Sequence, residues 1–486
     1  MRCRILIVLL ATVTTALAQP DTPHDDFAHL TAINVASLIM LHEEQLLPDD
    51  LAREIAQATA RIVDEQAVPR ASRSPNYLDF EERLLEIAGI DASRLHTGRS
   101  RQDIGSTMRR MALRESLLEV YGELLDARAA MLELAAQHVD TVIPAYTHGV
   151  QAQPTSFAHY LLAFSAAFER DSERYRQSYA RLNQSPLGAA ALGTSGFPLN
   201  RERLAQLLGF DTLVVNSYDA NLVSSVDSKI DFANVMVTSA VPIGQFVQNL
   251  HTQYHGTAPW FLLAESQTGI SSIMPQKRNP RPLDRLRSAA TAVIGSGHTV
   301  VLNAHNTNSG MNDYRDGSQV LQTAEHAGEM YRRYKDLMTW LVVIPERALA
   351  EIDADYSTMT EVADVLLREA GIAFREGHHY ASELTTLGRA EGKRPKDLSD
   401  AELGDTWRRV TGSELPLPIA RIRAAMDPQA MVASRRGRGG PQPAEVERML
   451  QQHRREIANG REWLRAARAG LSAAARERSQ LFESLL

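Results

Sequence analysis

Cysteine is almost absent. Cys3 is the single thiol in 486 residues, which excludes a disulfide scaffold and a cysteine-ligated metal centre. Aromatic residues make up only 6%, so a large core has to rest on Ala, Leu, Val, Ile and Met, as helix bundles do. An excess of positive charge is missing too. The 52 Lys and Arg face 59 Asp and Glu, a net charge of −7, and that argues against non-specific nucleic-acid binding. Arg435, Arg436 and Arg438 form a short basic stretch flanked by glycines, which reads as a solvated loop. No run of alternating strands, no repeat of fixed period and no Gly-rich phosphate loop is visible. The lack of strands speaks against a two-lobed α/β solute-binding protein. What remains, 44% hydrophobic and 23% charged, is the composition of an ordinary soluble globular chain.

The N-terminus reads as a secretory signal. Arg2 and Arg4 precede the apolar stretch Ile5 to Ala18, and Ala16-Leu17-Ala18 forms a small-residue cleavage motif before Gln19. The run is too short to favour a membrane span. Residues 1–18 are therefore expected to be a signal peptide, removed after Ala18 and taking Cys3 with it. The mature protein is then periplasmic or secreted, or cytoplasmic if the true start codon lies further on.

Helical periodicity dominates the rest. Leu113, Leu117, Val120, Tyr121, Leu124, Leu125, Met131, Leu132 and Ala135 recur at steps of three and four. A second pattern opens with Pro154, a favourable first-turn residue, and carries Phe157, Leu161, Phe164 and Phe168. A third runs from about Asp227 to His255, with Pro242 as a possible kink, and a fourth from near Pro282 to Asn303. Patterns this long predict an extended bundle. After Asp353 the helical patterns shorten and polar turns intervene. The expected division is an N-terminal helical domain over 19–98, a central long-helix domain over 99–353 and a C-terminal helical domain over 354–486. Polar segments between the helices are where functional groups usually sit.

One such segment is Gly269-Ile270-Ser271-Ser272-Ile273-Met274-Pro275-Gln276-Lys277-Arg278-Asn279-Pro280. It combines hydroxyls, an ammonium and a carboxamide before a helix start, a setting that favours anions. The full string resembles the signature of the aspartase/fumarase superfamily. Three further segments, in the matching order, resemble the argininosuccinate lyase branch: His96-Thr97-Gly98-Arg99-Ser100-Arg101, then Pro144-Ala145-Tyr146-Thr147-His148 through Gln153-Pro154, then Pro186-Leu187-Gly188 with Gly193-Thr194 and Phe197-Pro198. Glu361-Val362-Ala363-Asp364 and Phe374-Arg375-Glu376-Gly377-His378 are similar to its C-terminal domain. The likeness covers roughly residues 30 to 455.

The resemblance implies an all-α, three-domain fold whose long central helices assemble, in a homotetramer, into a 20-helix core. It implies a carbon–nitrogen lyase that releases fumarate from an N-succinyl amine, without metal or cofactor. Such a reaction removes a weakly acidic proton beside a carboxylate, stabilises the resulting dianion and protonates the departing amine. By position, Ser271 matches the catalytic base on a mobile loop, and Lys277 and Asn279 match the groups that hold the charged carboxylate. Ser272 adds a donor. His148 matches the histidine on the leaving side and Thr147 a substrate contact, while Asp284 stands where the family pairs its histidine with a glutamate. Ser100, Arg101 and Gln102 match the succinyl grip, with His96 beside them. Each site would draw on three subunits.

The match is looser elsewhere. Gln102 stands where the branch has asparagine, and Asn221 to Asp227 look expanded. Asn312 and Arg315 occupy positions where glutamine and lysine would contact the arginine half of the substrate, and Arg for Lys is not a neutral exchange. The signal peptide also conflicts with arginine biosynthesis, a cytoplasmic process. Ala32-Ile33-Asn34 is similar to lyases acting on aminopolycarboxylates such as ethylenediamine-disuccinate. The amine half thus stays open between argininosuccinate and such a compound. A catalytically inactive structural homologue is the third reading.

Overall fold

The computed structural model describes residues 25–68, 73–310 and 317–486. The signal segment of residues 1–18, and both Asn312 and Arg315, lie outside them. Helices dominate, as the periodicity leads one to expect. The chain opens with α1 (Asp26–Glu43), α2 (Asp49–Gln66) and α3 (Tyr77–Ala88). Asp25 caps α1 by accepting from the Ala28 N–H at 3.1 Å. Residues 29 to 41 of α1 are buried without a break, so the helix runs through the middle of its own cluster rather than along its surface.

Next comes α4 (Arg101–Ala136), 36 residues and about 54 Å long at 1.5 Å per residue. It leads to a hairpin of β1 (Val142–Thr147) and β2 (Val150–Ser156), then to α5 (Phe157–Leu182). The second helical pattern therefore starts later than its Pro154 indicates. Pro154 faces Pro144 across the hairpin, on a rung where neither strand needs to donate an N–H. Ser156 caps α5 instead, accepting from the His159 N–H at 3.2 Å.

The short β3 (Gln184–Ser185), α6 (Arg201–Leu207), β4 (Thr212–Leu213) and α7 (Ser217–Leu222) follow. The residues that look expanded in sequence thus form the end of α7 and the first turn of α8 (Ser224–Gln253), which runs on through Pro242. The strands β5 (Phe261–Leu263), β6 (Gly269–Ile270) and β7 (Arg278–Asn279) lead to α9 (Arg281–Ala304) and α10 (Ser318–Trp340). Helices α4, α5, α8, α9 and α10 pack side by side around one hydrophobic cluster that includes Phe168, Phe246, Tyr331 and Tyr334.

The rest comprises β8 (Leu341–Val343), α11 (Pro345–Asp353), α12 (Met359–Ala370), α13 (Phe374–Ala390), α14 (Asp400–Thr411), α15 (Ile419–Met426), α16 (Pro428–Ala433) and the 41-residue α17 (Pro443–Glu483). A third cluster, around Trp407 and Tyr380, spans Tyr356 to Met426. Helix α17 leaves it and lies along the bundle, where Ile457, Leu464 and Leu471 join the central cluster and Phe482 the N-terminal one. The fully buried Arg128 ties α17 to α4 and α5, donating to Ser165 at 3.0 Å and to Glu456 at 2.5 Å and contacting Glu169.

One surface reading is corrected. Arg435 is not simply solvated: its guanidinium donates to Glu361 at 2.7 Å. Glu361 is 2% exposed and also receives Arg368 at 2.5 Å. A carboxylate buried to that degree needs charged partners, and the Gly-rich segment bends to supply one.

Candidate active site

Within one chain the candidate residues fall at opposite ends of the bundle. Arg110, early in α4, donates to Leu182 O at 3.1 Å and to Ser224 O at 3.1 Å. The end of α5 and the start of α8 therefore lie beside the start of α4. At the other end, His138 stands edge-on to Phe157 at 5.3 Å, and Phe157 meets Phe261 at 5.0 Å.

Ser100, Arg101 and Gln102 occupy the α4 start. Ser100 is its N-cap, accepting from the Gln102 N–H at 3.2 Å, while Asp103 Oδ1 accepts from the Ser100 N–H at 2.8 Å. The other oxygen of this fully buried carboxylate accepts from the N–H groups of Gly188 at 2.9 Å and Ala190 at 3.1 Å. Asp103 thus latches the Pro186–Pro198 loop to the helix end. Asn221 closes the same loop from behind, donating to Ala190 O at 2.7 Å and Ala191 O at 3.0 Å. Arg101 is left exposed and Gln102 half-buried. The Tyr218 hydroxyl meets Ser309 Oγ at 2.8 Å, which brings the stretch preceding Asn312 to this end. Arg99 is buried, donating to Asn34 Oδ1 at 2.9 Å and lying over the Tyr77 ring. His96 stacks on that ring at 4.5 Å; burial, aided by Arg99, lowers its pKa to about 4 and keeps it neutral.

Thr147, His148, Ser271, Ser272, Lys277, Asn279 and Asp284 lie at the opposite end. Thr147 and His148 are exposed at the hairpin tip, where His148 (φ 54°) and Gly149 (φ 76°) form its two-residue turn. A left-handed histidine costs about 1 kcal/mol. In the signature segment, Gly269 pairs with Asn279 and Ile270 with Arg278, closing the loop from Ser271 to Lys277. Ser271 Oγ accepts from the N–H groups of Met274 at 3.1 Å and Ile273 at 3.4 Å. Arg278 donates to Glu265 at 2.8 Å and to Pro275 O at 2.8 Å, bracing the loop. Ser272 and Lys277 are exposed, and among the described residues no carboxylate lies within ion-pair reach of the Lys277 ammonium. Ile270 and Ile273 are 75% and 83% exposed, an apolar loop face held in water.

Asp284 sits in the first turn of α9, 3.5 Å from His251 Nε2. Burial lowers the pKa of His251. Within the chain Asp284 thus faces His251 rather than His148. Sequence reasoning overlooked Asp103, His251 and Asn221. The Ser100-x-x-Asp103 spacing of a capping box was the available signal for the first; the other two become visible only through tertiary neighbours. Among the described residues no group of three or more His, Cys, Asp or Glu gathers as a metal site would require.

Comparison with known proteins bears on this geometry. A lyase family model matches residues 52–295, and an argininosuccinate lyase C-terminal model matches residues 356–433. The chain is 33% identical over 462 residues to argininosuccinate lyase of Methanoculleus marisnigri, covering 91% of this chain and 90% of that protein. It is 30% identical over 446 residues to argininosuccinate lyase 1 of Shouchella clausii, covering 89% and 88%. Among solved structures, an EDDS lyase in complex with formate superposes with a TM-score of 0.83 at 29% identity, covering 98% of this chain and 95% of that one. A class II fumarase from Schistosoma mansoni shares the fold at 15% identity, with a TM-score of 0.67 and coverage of 86% and 94%.

Proposed function

The chain belongs to the lyase family that includes argininosuccinate lyase, and from that premise we propose that it splits an N-succinyl amine, argininosuccinate in the first instance, into fumarate and the free amine. It is a carbon–nitrogen lyase. The observation that carries the reading is the Ser271–Asn279 loop, which sets a serine hydroxyl braced by two amides in one loop with a lysine that has no carboxylate partner among the described residues. Ser271 takes the proton from the carbon next to the carboxylate. N–H donors on its oxygen favour the alkoxide that a serine base requires. Lys277 and Asn279 hold the carboxylate as it gains charge, and Ser272 adds a donor. The carbon–nitrogen bond then breaks and the amine leaves with a proton, on the side assigned to His148 and Thr147. Ser100, Arg101 and Gln102 grip the succinyl part. Closure of the loop would take Ile270 and Ile273 out of water and exclude solvent from the reaction.

These groups cannot meet within one chain, since α4 alone separates them by about 54 Å. Association of copies answers this, and the helix surfaces support it. Between Phe232 and Leu250 helix α8 carries no Asp, Glu, Lys or Arg, and only half of its apolar window is buried within the chain. In α9 the residues from Ser288 to Ala304 lack those four types as well. A homotetramer with each site built from three copies fits both facts. Asp284 would then reach His148 across an interface. The Arg2–Ala18 pattern supports export to the periplasm or medium, which cell fractionation of the tagged full chain would test.

The amine remains a choice between two classes. The EDDS lyase likeness and the Ala32-Ile33-Asn34 stretch favour an aminopolycarboxylate as the second reading. Fumarate release from argininosuccinate and ethylenediamine-disuccinate, offered side by side, decides between them. Argininosuccinate is expected to turn over faster, and preference for the other compound would move the assignment to it. An active monomer in sedimentation-coupled assays would overturn the shared site.

A further inference from the structure

The hairpin that carries Thr147 and His148 ends in an exposed tip, so its aim depends on what holds the rungs below. Tyr146 and Gln151 face each other across the ladder, one rung beneath the Thr147–Val150 pair that flanks the tip. Both end on the same residue of α11. The Tyr146 hydroxyl donates to the Glu351 carboxylate, and Gln151 Nε2 donates to the Glu351 backbone carbonyl at 2.9 Å. The Tyr146 oxygen also receives the Trp260 indole N–H at 3.4 Å, and Trp260 precedes β5 on the path to the Ser271 loop. Further down, Gln153 donates to Thr360 Oγ1 at 3.2 Å. The ladder itself is irregular at this point, with a register shift between Ala145 and Tyr146. Such a bulge twists the strand and re-aims the residues beyond it, so the last fixed point before the tip is the grip on Glu351.

We propose that Tyr146 and Glu351 are positioning residues, a clamp that sets the direction in which the left-handed His148 turn presents its imidazole to the leaving amine. The inference rests on the function proposed above. The two hydrogen bonds to Glu351 pin both strands at one rung, leaving only Thr147, His148, Gly149 and Val150 free beyond it. Without the Tyr146 bond the bulged strand can rotate about its remaining contacts, and the tip moves with it. Small displacements of a proton-transferring group are costly to rate, up to about 100-fold for about 1 Å, while the grip of Ser100, Arg101 and Gln102 on the succinyl part, contributed by another copy, would be little affected.

The test compares Tyr146→Phe, which keeps the ring and loses the hydroxyl, with Glu351→Ala and Glu351→Gln. Tyr146→Phe and Glu351→Ala are each expected to lower kcat by about tenfold with KM within about twofold. The Glu351→Gln amide oxygen still accepts from tyrosine and should restore most of kcat. The double variant Tyr146→Phe/Glu351→Ala should be no slower than either single one, because the two residues form one contact. A fall in melting temperature with kcat unchanged, or additive losses, would overturn the clamp. Hydrogen exchange of residues 146–151 reads it independently of turnover: faster exchange at Thr147, His148 and Val150 in Tyr146→Phe is expected, and unchanged exchange refutes it. A wild-type protein that releases no fumarate would refute the proposed function, while the exchange measurement would still decide the clamp.

Discussion

Replacing Asp103 by asparagine separates two roles that one carboxylate combines. Oδ1 accepts from the Ser100 and Ile104 N–H groups at 2.8 and 3.1 Å, and Oδ2 from Gly188 and Ala190 at 2.9 and 3.1 Å. An asparagine keeps one acceptor and turns an NH2 group towards the other pair. The helix cap is the more local pair, so the amide oxygen should stay there and the loop should lose its partners. Two N–H groups facing an amide donor in a buried setting cost about 1–3 kcal/mol each, while removing the charge relieves the desolvation that raises the Asp103 pKa to about 6. Partial opening of the loop to water offsets some of this, which leaves about 3 kcal/mol. Amide exchange at Gly188 and Ala190 should then accelerate by about 100-fold, and the denaturation midpoint should fall, with exchange within α4 beyond its first turn unchanged. KM for the N-succinyl substrate should rise, since the loop and the Ser100–Gln102 turn share this anchor. Unchanged exchange at Gly188 and Ala190, or acceleration spread evenly through the bundle, would refute the latch.

Other perturbations have equally direct outcomes. Ser271→Ala should lower kcat by orders of magnitude while sedimentation stays as in wild type; near-normal turnover would remove it as the base. Lys277→Ala should weaken inhibition by the product fumarate, read as a higher inhibition constant, because the ammonium is assigned to the carboxylate. His148→Asn keeps a residue that tolerates the left-handed turn, so kcat should drop without loss of melting temperature. His29 gives a pH signature. Burial by itself would lower its pKa, but the Asp26 carboxylate 3.8 Å away and a hydrogen bond to Glu115 at 3.1 Å outweigh it and raise it from 6.5 to about 9. The charged form is therefore the one favoured by folding, so this stabilisation is fully present below pH 6.5 and fades as pH rises through about 9. Urea midpoints of wild type should fall over that window more than those of His29→Gln.

The legible parts of this protein are those written in local pattern. The three-four spacing from Leu113 to Ala135 marks α4, and the Gly269–Pro280 string marks the loop closed by β6 and β7, because each needs only its own neighbours to be recognised. Pro154 misled because proline suits a first helical turn and an unpaired strand rung equally well, and only the facing Pro144 shows which applies. Arg435 looked solvated because nothing near it in sequence reveals that Glu361 is buried 74 residues away. The course of α17 along the bundle, the Asp103 latch and the Glu351 clamp likewise depend on partners far off in the chain. The separation of His148 and Ser271 from Ser100 could not be read from motif order, which says nothing about which end of a long helix each motif occupies.

Subunit complementation tests the central claim most directly. Chains carrying Ser271→Ala and chains carrying Arg101→Ala are purified separately, mixed, dissociated and reassociated, and assayed for fumarate release from argininosuccinate. Each variant alone should be nearly inactive. The mixture should regain activity, because an assembly of both kinds contains sites that take an intact Ser271 loop from one copy and an intact Arg101 turn from another. Mixed assemblies that form and stay inactive, with the wild type active under the same treatment, would contradict a lyase whose sites are built between chains.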